Sequence, residues 1–202
     1  MTTLWPKVSA VLVLLSTLFS VAAADETKVS TEPEPRTFSP ANKPDEVLRY
    51  RWLAPPKVEK GTKYPLLLCL HGAGERGDDN GKQVGHFKPL FGTAETRKAY
   101  PCYVVLPQVP NGELWATYGW STKRDTMEER PSRSLALTKA LVDELVKTEA
   151  IDQDRIYITG LSMGGYGTWE MIQRYPKYFA AAAPVCGDGD LTQAKALTHL
   201  PI

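Results

Sequence analysis

Apolar and polar positions along the chain form short blocks that predict strands alternating with helices. Leu48, Tyr50 and Trp52 alternate with arginines, which is typical of a strand with one covered face. Four later blocks are largely apolar, and the first two have the continuous apolar composition of strands that are buried on both faces of a parallel sheet. These blocks are residues 64–70, 100–107, 156–159 and 179–185.

Helical spacing fills most of the intervals between these strands. The clearest case begins at Ser132, where leucines repeat on one face while Lys139 and Glu144 face water. A proline, Pro176, stops the helix that precedes the last strand. The predicted helices span residues 82–99, 132–147, 163–174 and 191–197. This alternation predicts an α/β fold in which helices cover both faces of a mostly parallel sheet.

One apolar block ends abruptly in a serine that is flanked by glycines. The motif Gly160-x-Ser162-x-Gly164 follows the strand at 156–159 and precedes a helical pattern. The two glycines leave room for a turn sharp enough to expose the serine hydroxyl at the carboxyl end of the strand. This context predicts a nucleophile elbow, with Ser162 as the catalytic nucleophile. The alternative is an ordinary glycine-rich turn between a strand and a helix.

A second glycine-rich loop, residues 71–77 with the sequence HGAGERG, follows the strand at 64–70. Acyl transfer needs hydrogen-bond donors at the oxygen that becomes negative in the tetrahedral intermediate. We expect one donor to be the backbone N–H of Met163 and the other to come from Ala73 or Gly74. A plain turn is the alternative for this loop. In a parallel sheet both loops lie at carboxyl strand ends, where ligands bind.

Residues 108–131 lack periodicity but contain Trp115, Tyr118 and Trp120. A segment of this length without regular structure is often a functional loop. The aromatic side chains either line a substrate pocket or cover the edge of the sheet, and the sequence leaves both interpretations open. Asp188 follows a predicted strand and is a further candidate for the edge of the pocket. The spacing of acidic residues, histidines and cysteines matches no metal site, so we expect neither a metal nor a cofactor.

The elbow, the loop at 71–77 and the order of predicted elements resemble the α/β-hydrolase superfamily. Within it they resemble the secreted carboxylesterases of the prolyl-oligopeptidase-like and polyhydroxybutyrate-depolymerase-like groups, over residues 45–202. The resemblance implies that Ser162 attacks carboxylic esters or thioesters of modest size through an acyl-enzyme intermediate. It also implies an oxyanion hole formed by Met163 and the Ala73–Gly74 region.

A serine nucleophile of this family needs a general base, and the family order places an acid and then a histidine after the serine. His71 and His86 precede the elbow, while His199 comes directly before what resembles the start of another strand. We therefore expect residues 45–202 to be the N-terminal portion of a hydrolase domain, with its C-terminal strands, acid and histidine beyond Ile202. Two alternatives remain: a non-catalytic binding module that lacks the triad, and a serine peptidase of the prolyl-oligopeptidase type.

The amino terminus has the features of an export signal. Lys7 precedes an apolar stretch from Val8 to Val21, and residues 22–24 are the small alanines that signal peptidase recognises. A membrane anchor is the alternative, but the stretch is shorter than the roughly 20 residues that span a bilayer. We expect a signal peptide over residues 1–24, a periplasmic or extracellular location, and a Pro-rich linker over residues 25–44.

Composition narrows the range of partners. The 202 residues are 43% hydrophobic and 23% charged, which is enough apolar material for one core and one folded domain. The formal net charge of +1 favours neither a nucleic-acid groove nor an anionic membrane surface. We therefore expect an ester substrate, no nucleic-acid partner and no stable membrane anchor. The odd number of cysteines, three, leaves at least one thiol unpaired within the chain.

Overall fold

The computed structural model describes residues 29–202, which form a six-stranded sheet. The predicted signal peptide lies outside these residues. The strands are β1 (Glu34–Phe38), β2 (Leu48–Leu53), β3 (Tyr64–Leu70), β4 (Tyr103–Gln108), β5 (Ile151–Leu161) and β6 (Ala181–Val185). Their order across the sheet is β1-β2-β4-β3-β5-β6. The pairs that involve β2 are antiparallel, and the pairs from β4 to β6 are parallel.

Four α-helices and three 3₁₀ segments accompany these strands within the described residues. They are α1 (Lys88–Phe91), α2 (Ala94–Ala99), α3 (Arg133–Thr148) and α4 (Met163–Arg174), with 3₁₀ segments at Ala73–Glu75, Lys82–Val84 and Leu191–Leu197. Helices α3 and α4 pack on the face that carries Leu68 and Val105. Phe87 and Phe91 pack on the opposite face, against Val104. Helices therefore lie on both faces, which confirms the predicted α/β fold.

The segment at 82–99 differs from the single irregular helix that its sequence predicts. It forms a 3₁₀ segment, then α1, then α2. Pro89 has no N–H group, so a continuous helix cannot run through the start of α1 without losing a hydrogen bond. Gly92 ends α1, and the hydroxyl of Thr93 accepts the N–H of Thr96 at 3.1 Å to begin α2. These local stop and start signals divide the helical pattern into short pieces.

Strand β1 corrects the prediction that residues 25–44 form a linker without structure. It pairs with β2 at the edge of the sheet. Asn80 Nδ2 donates to the Arg36 carbonyl at 3.1 Å, and the Arg36 guanidinium lies 5.0 Å from the centre of the Trp52 ring. Pro35 is tolerated because an edge strand leaves alternate N–H groups outside the ladder. Contacts with residues that are distant in the sequence hold β1 in place, and no local apolar pattern predicts this strand.

No helix within residues 29–202 is long and apolar enough to cross a bilayer. The longest helix, α3, instead has the predicted amphipathic character: Leu141 and Leu145 are buried and Glu144 is exposed. Lys139 differs from the prediction that it faces water. Its ammonium group lies 2.7 Å from the Asp143 carboxylate, one turn further along α3, and 3.9 Å from the centre of the Tyr178 ring. The side chain therefore packs against other protein groups.

Candidate active site

Strand β5 runs beside β3, so the elbow and the loop after β3 meet at one edge of the sheet. Leu70 pairs with Gly160 in this register. Ser162 has φ 54° and ψ −113°, an unusual conformation for a residue with a side chain. Its N–H donates to the Val185 carbonyl at 2.8 Å, and its own carbonyl accepts the N–H of Gly165 at 2.8 Å. These bonds hold the exposed Ser162 side chain at the amino end of α4.

Close approaches of the backbone require both glycines of the elbow motif. A Cβ atom on Gly160 would lie 2.1 Å from the carbonyl oxygen of Gly164. A Cβ atom on Gly164 would lie 1.9 Å from the carbonyl oxygen of Leu70. Both distances are far below van der Waals contact, and the opposing atoms belong to the backbone, so no side-chain rotation can relieve the overlap. Steric overlap with the backbone therefore explains why both positions of the motif are occupied by glycine.

The loop after β3 lies directly against the elbow. A Cβ atom on Gly72 would be 3.9 Å from the Cβ of Ser162. Within residues 29–202, no protein group accepts a hydrogen bond from the backbone N–H of Met163, Ala73 or Gly74. Met163 is the first residue of α4, where the helix dipole favours negative charge. Unoccupied donors beside an exposed hydroxyl can stabilise the oxyanion that forms during acyl transfer.

His71 supports this loop through both of its ring nitrogens. The N–H of Val109 donates to Nε2 at 2.9 Å, so Nδ1 carries the proton and donates to the Gly72 carbonyl at 2.6 Å. The ring is fully buried, and burial lowers the pKa of His71, which favours the neutral form. Trp115 Nε1 donates to the His71 carbonyl at 3.0 Å. Because both nitrogens are engaged, His71 is unavailable as a general base for Ser162.

A buried polar network fixes the far end of the same loop. Gln108, at the end of β4, donates from Nε2 to the Glu75 carbonyl at 3.0 Å and to Asp79 Oδ1 at 3.1 Å. Its Oε1 accepts the N–H of Asn80 at 2.7 Å. The N–H of Lys82 also donates to Asp79, and this bond is the largest cause of the lowered pKa of Asp79. Sequence reasoning missed Gln108, because it belongs to no motif. The only feature that could have identified it is its position as a polar residue at the end of an apolar strand.

Trp120 and Asp188 line one open cavity of about 550 Å³. The Trp120 side chain is exposed, and Tyr166, one helical turn after Ser162, forms part of the wall. Aromatic and acidic groups around an open cavity can hold an organic ligand. Trp115 is instead fully buried, so of the two interpretations that the sequence leaves open, pocket lining is wrong for this residue. Its ring fills the core beneath the loop, and its indole N–H is already bonded.

A buried ion pair holds the long loop between β4 and α3, residues 109–132, in place. Glu170 of α4 is fully buried and accepts hydrogen bonds from the N–H of Thr117 at 2.6 Å and from Arg174 Nε at 2.8 Å. Arg174 also donates to the carbonyls of Glu128 at 2.7 Å and Glu129 at 3.0 Å. These hydrogen bonds attach the long loop to α4, the helix that follows Ser162. Helical periodicity alone does not show that Glu170 is buried, because Thr117, which packs against it, is 53 positions away in the sequence.

The other two histidines lie within hydrogen-bond distance of groups other than Ser162. His199 Nε2 is 2.7 Å from the Pro176 carbonyl, beyond the carboxyl end of α4 and about 18 Å along that helix from Ser162. His86 Nε2 is 3.0 Å from a carboxylate oxygen of Glu75. In the described part of the chain, no three His, Cys, Asp or Glu side chains are grouped as metal ligands, and its cysteines are unbridged.

Comparison with solved structures supports the same architecture. A thermostable esterase superposes with a TM-score of 0.76 and is 37% identical, over 86% of this chain and 46% of its own. The chain is a member of the α/β-hydrolase superfamily. The sequence profile of the Prolyl oligopeptidase family matches residues 112–202, which include the elbow. These results confirm the superfamily and the fold that the motifs predict.

Relatives of this chain include a depolymerase and an esterase. Poly(3-hydroxyalkanoate) depolymerase C of Paucimonas lemoignei is 31% identical over 124 residues, which are 61% of this chain and 28% of that protein. The bifunctional acetylxylan esterase/xylanase XynS20E of Neocallimastix patriciarum is 28% identical over 139 residues, which are 68% of this chain and 18% of that protein. The chain is thus related to serine esterases and spans less than half the length of each of these relatives.

Proposed function

We propose that the protein is a serine hydrolase that cleaves carboxylic esters through an acyl-enzyme intermediate on Ser162. The observation that carries this proposal is the exposed Ser162 side chain on its strained turn, near backbone N–H groups of Met163, Ala73 and Gly74 that have no protein acceptor within residues 29–202. Such donors become most valuable when the carbonyl oxygen of the ester turns negative. The relationship to esterases supports the same reaction class.

The proposed reaction has two halves. The Ser162 oxygen bonds to the acyl carbon while its proton passes to a general base, and the carbonyl oxygen becomes an oxyanion held by the N–H groups of Met163 and the Ala73–Gly74 turn. The C–O bond to the alcohol then breaks, and the alcohol leaves with the proton. Water attacks the acyl carbon in the second half, which releases the carboxylic acid and restores the Ser162 hydroxyl.

We propose that the acid and histidine of the triad are supplied by a part of the protein outside residues 29–202. Both nitrogens of His71 are engaged, His86 is paired with Glu75, and His199 lies beyond the far end of α4. The greater length of the relatives supports this assignment. A non-catalytic binding module is the competing function, and labelling of the full-length protein by a fluorophosphonate distinguishes the two, because only an activated serine reacts rapidly.

The main test uses the full-length protein and a panel of 4-nitrophenyl esters. We expect Ser162→Ala to lower kcat/KM by at least about 10³-fold, because the nucleophile of the covalent step is removed. Ser30→Ala, an exposed serine that precedes β1, is the matched control and should retain the wild-type rate. Hydrolysis by Ser162→Ala at a rate close to that of the wild type would exclude Ser162 as the nucleophile.

Peptidase activity is a second candidate, because the Prolyl oligopeptidase profile matches residues 112–202. The same acyl-enzyme chemistry cleaves amides when the leaving amine is protonated. A panel that pairs each ester with the corresponding 4-nitroanilide separates the two activities. We expect esters to be preferred, with the bulkier group of the substrate in the cavity lined by Trp120 and Asp188.

We also propose that the protein is exported and that its signal peptide is removed after Ala24. The charged, apolar and small-residue regions in the first 24 residues support this proposal. Amino-terminal sequencing of the protein from a culture medium or periplasmic extract should find Asp25 as the first residue. Recovery of the exported protein with Met1 intact would contradict cleavage.

A further inference from the structure

Tyr166 forms a wall of the open cavity that Trp120 and Asp188 also line, and this wall adjoins the nucleophile. Tyr166 lies four residues after Ser162, about 6 Å further along α4, and its N–H donates to the Ser162 carbonyl at 3.1 Å. Side chains on a helix lean toward its amino end, so the Tyr166 ring covers the turn next to Ser162. The Ser162 N–H is bonded to the Val185 carbonyl, three residues before Asp188. Two walls of the cavity are therefore attached directly to the elbow.

Glycines on two distant segments fix the orientation of the Tyr166 ring. A Cβ atom on Gly119 would lie 2.5 Å from ring carbons Cδ1 and Cε1, and a Cβ atom on Gly187 would lie 3.0 Å from Cδ2. Both glycines have left-handed backbone conformations, with φ 100° and 86°. Tyr118 packs edge-on, with its ring centre 6.4 Å away and an angle of 73° between the ring planes. Backbone therefore lies against both edges of the Tyr166 ring, and this wall is formed before a ligand binds.

The Tyr166 side chain also has a hydroxyl group that the fold does not use. The hydroxyl oxygen is accessible to solvent, and no group within residues 29–202 forms a hydrogen bond with it. The hydroxyl of the neighbouring Tyr118, by contrast, donates to the Asp188 carbonyl at 3.2 Å. Trp120 lines the same cavity with 57% of its surface exposed. Two aromatic side chains and an unused hydroxyl group are therefore available to a ligand in this cavity.

The charged side chains that line the cavity favour a ligand without negative charge. They are Arg124, Asp125 and Asp188. Arg124 pairs with Glu128 at 3.1 Å, so its charge is balanced within the protein. In the described part of the chain, neither aspartate has an ion-pair partner. An anionic group in the cavity would therefore meet two carboxylates, and a neutral group avoids this repulsion.

We propose that the cavity binds a neutral aromatic ring, which the ester substrate carries on a short spacer next to its scissile carbonyl, and that Tyr166 determines this specificity. The inference rests on the proposed ester hydrolysis at Ser162. The ring packs against Tyr166 and Trp120 in the offset or edge-on arrangements that aromatic pairs prefer. A polar substituent on the ring forms a hydrogen bond with the Tyr166 hydroxyl. Tyr166 takes no proton from Ser162 in this scheme.

The test measures kcat/KM of the full-length protein for esters that differ in the ring, with acid release followed by titration. On the acyl side the pair is ethyl 3-phenylpropanoate and ethyl 3-cyclohexylpropanoate. On the alcohol side it is benzyl acetate and cyclohexylmethyl acetate. We expect the wild-type protein to prefer the phenyl ester by about three- to tenfold on one side of the carbonyl, because aromatic pairs gain more than the area they bury. A pocket that recognises only apolar area would not favour the phenyl ring, because the saturated ring is the larger apolar group.

Tyr166→Leu removes the aromatic ring, and Tyr166→Phe removes only the hydroxyl. We expect Tyr166→Leu to abolish the preference by slowing the phenyl ester alone. Tyr166→Phe should keep that preference but lose a further preference for ethyl 3-(4-hydroxyphenyl)propanoate over ethyl 3-phenylpropanoate. Tyr100→Leu is the matched control, because it makes the same exchange at an exposed tyrosine outside the lining of the cavity, so both preferences should persist. If Tyr166→Leu does not fold, as judged by circular dichroism, loss of the preference in Trp120→Leu decides.

Two kinetic results would overturn the inference. One is a wild-type protein that hydrolyses both members of each pair equally well, and the other is a Tyr166→Leu variant that slows both members by the same factor, which indicates a role in supporting the elbow. Failure of the proposed function has a different signature, namely hydrolysis that survives Ser162→Ala. Calorimetric titration of Ser162→Ala with 3-phenylpropanamide and N-benzylacetamide measures ring binding without catalysis. Affinities equal to those of the corresponding cyclohexyl amides would also overturn the inference.

Discussion

Replacement of Gly164 by alanine tests whether the elbow depends on the close approach of α4 to β3. The new methyl carbon would lie 1.9 Å from the Leu70 carbonyl oxygen. A Cβ atom in a folded protein essentially never comes within 3.0 Å of such an atom, so the two backbones would have to separate by roughly 1 Å in a close-packed core. Moving the Leu70 backbone costs free energy, because Leu70 pairs with Gly160 in the centre of the sheet.

We expect this overlap to lower the free energy of unfolding by about 3 kcal/mol, the upper end of the usual range for overpacking. For a chain of this size that corresponds to a decrease in Tm of about 6–12 °C. A displacement of roughly 1 Å at Ser162 should also lower kcat/KM by about 100-fold. Thermal unfolding followed by circular dichroism, with rates on a 4-nitrophenyl ester, measures both effects in the full-length protein.

The matched control is Gly85→Ala. A Cβ atom on Gly85 would have its nearest neighbour, the Lys82 carbonyl oxygen, at an ordinary 3.5 Å, and the backbone there is helical, with φ −52° and ψ −49°. We expect this variant to be as stable as the wild type or more stable by up to about 1 kcal/mol. The steric account of the elbow is refuted if Gly164→Ala unfolds within about 2 °C of the wild type and retains its rate.

Two further predictions concern buried polar groups. Burial lowers the pKa of His71 below the value near 6.5 of the unfolded chain, so the unfolded state binds the proton first. The free energy of unfolding should therefore decrease as the pH falls below about 6.5. Urea unfolding between pH 5 and 8 should show a smaller decrease for His71→Asn than for the wild type, and equal decreases in the two proteins would contradict this account. Glu170→Ala should cost about 3–5 kcal/mol in urea unfolding, because it leaves Arg174 beside an empty site. The exposed Glu144→Ala should change stability by no more than about 0.5 kcal/mol, and equal losses in the two variants would contradict the role of burial.

The elbow and the succession of strands β2 to β6 along the chain can be predicted from the sequence because their determinants are short-range. Gly160 and Gly164 flank Ser162 directly, and the apolar run before them and the helical pattern after them are continuous. Side-chain periodicity follows from backbone geometry, with two residues per repeat in a strand and 3.6 in a helix. The end of α4 at Arg174 is marked equally locally, by the nearby Pro176.

Several features of the site cannot be predicted in this way because their partners are distant. His71 is held by Val109, which is 38 positions away, and Trp115 by the carbonyl of His71, 44 positions away. Aromatic residues in an aperiodic segment can be buried or exposed, so the sequence does not distinguish Trp115 in the core from Trp120 at the cavity. Strand β1 lacks an apolar repeat altogether and forms through pairing with β2.

By itself, the sequence determines an α/β chain with a sharp strand–turn–helix elbow at Ser162 and a glycine-rich loop at the end of a neighbouring strand. It does so because strand, turn and helix signals depend on residues within a few positions of each other. The tertiary structure alone decides which side chains serve that elbow. It engages both nitrogens of His71 in support of the loop and buries Trp115 while Trp120 stays exposed, because hydrogen-bond partners and burial are set only when distant segments pack together.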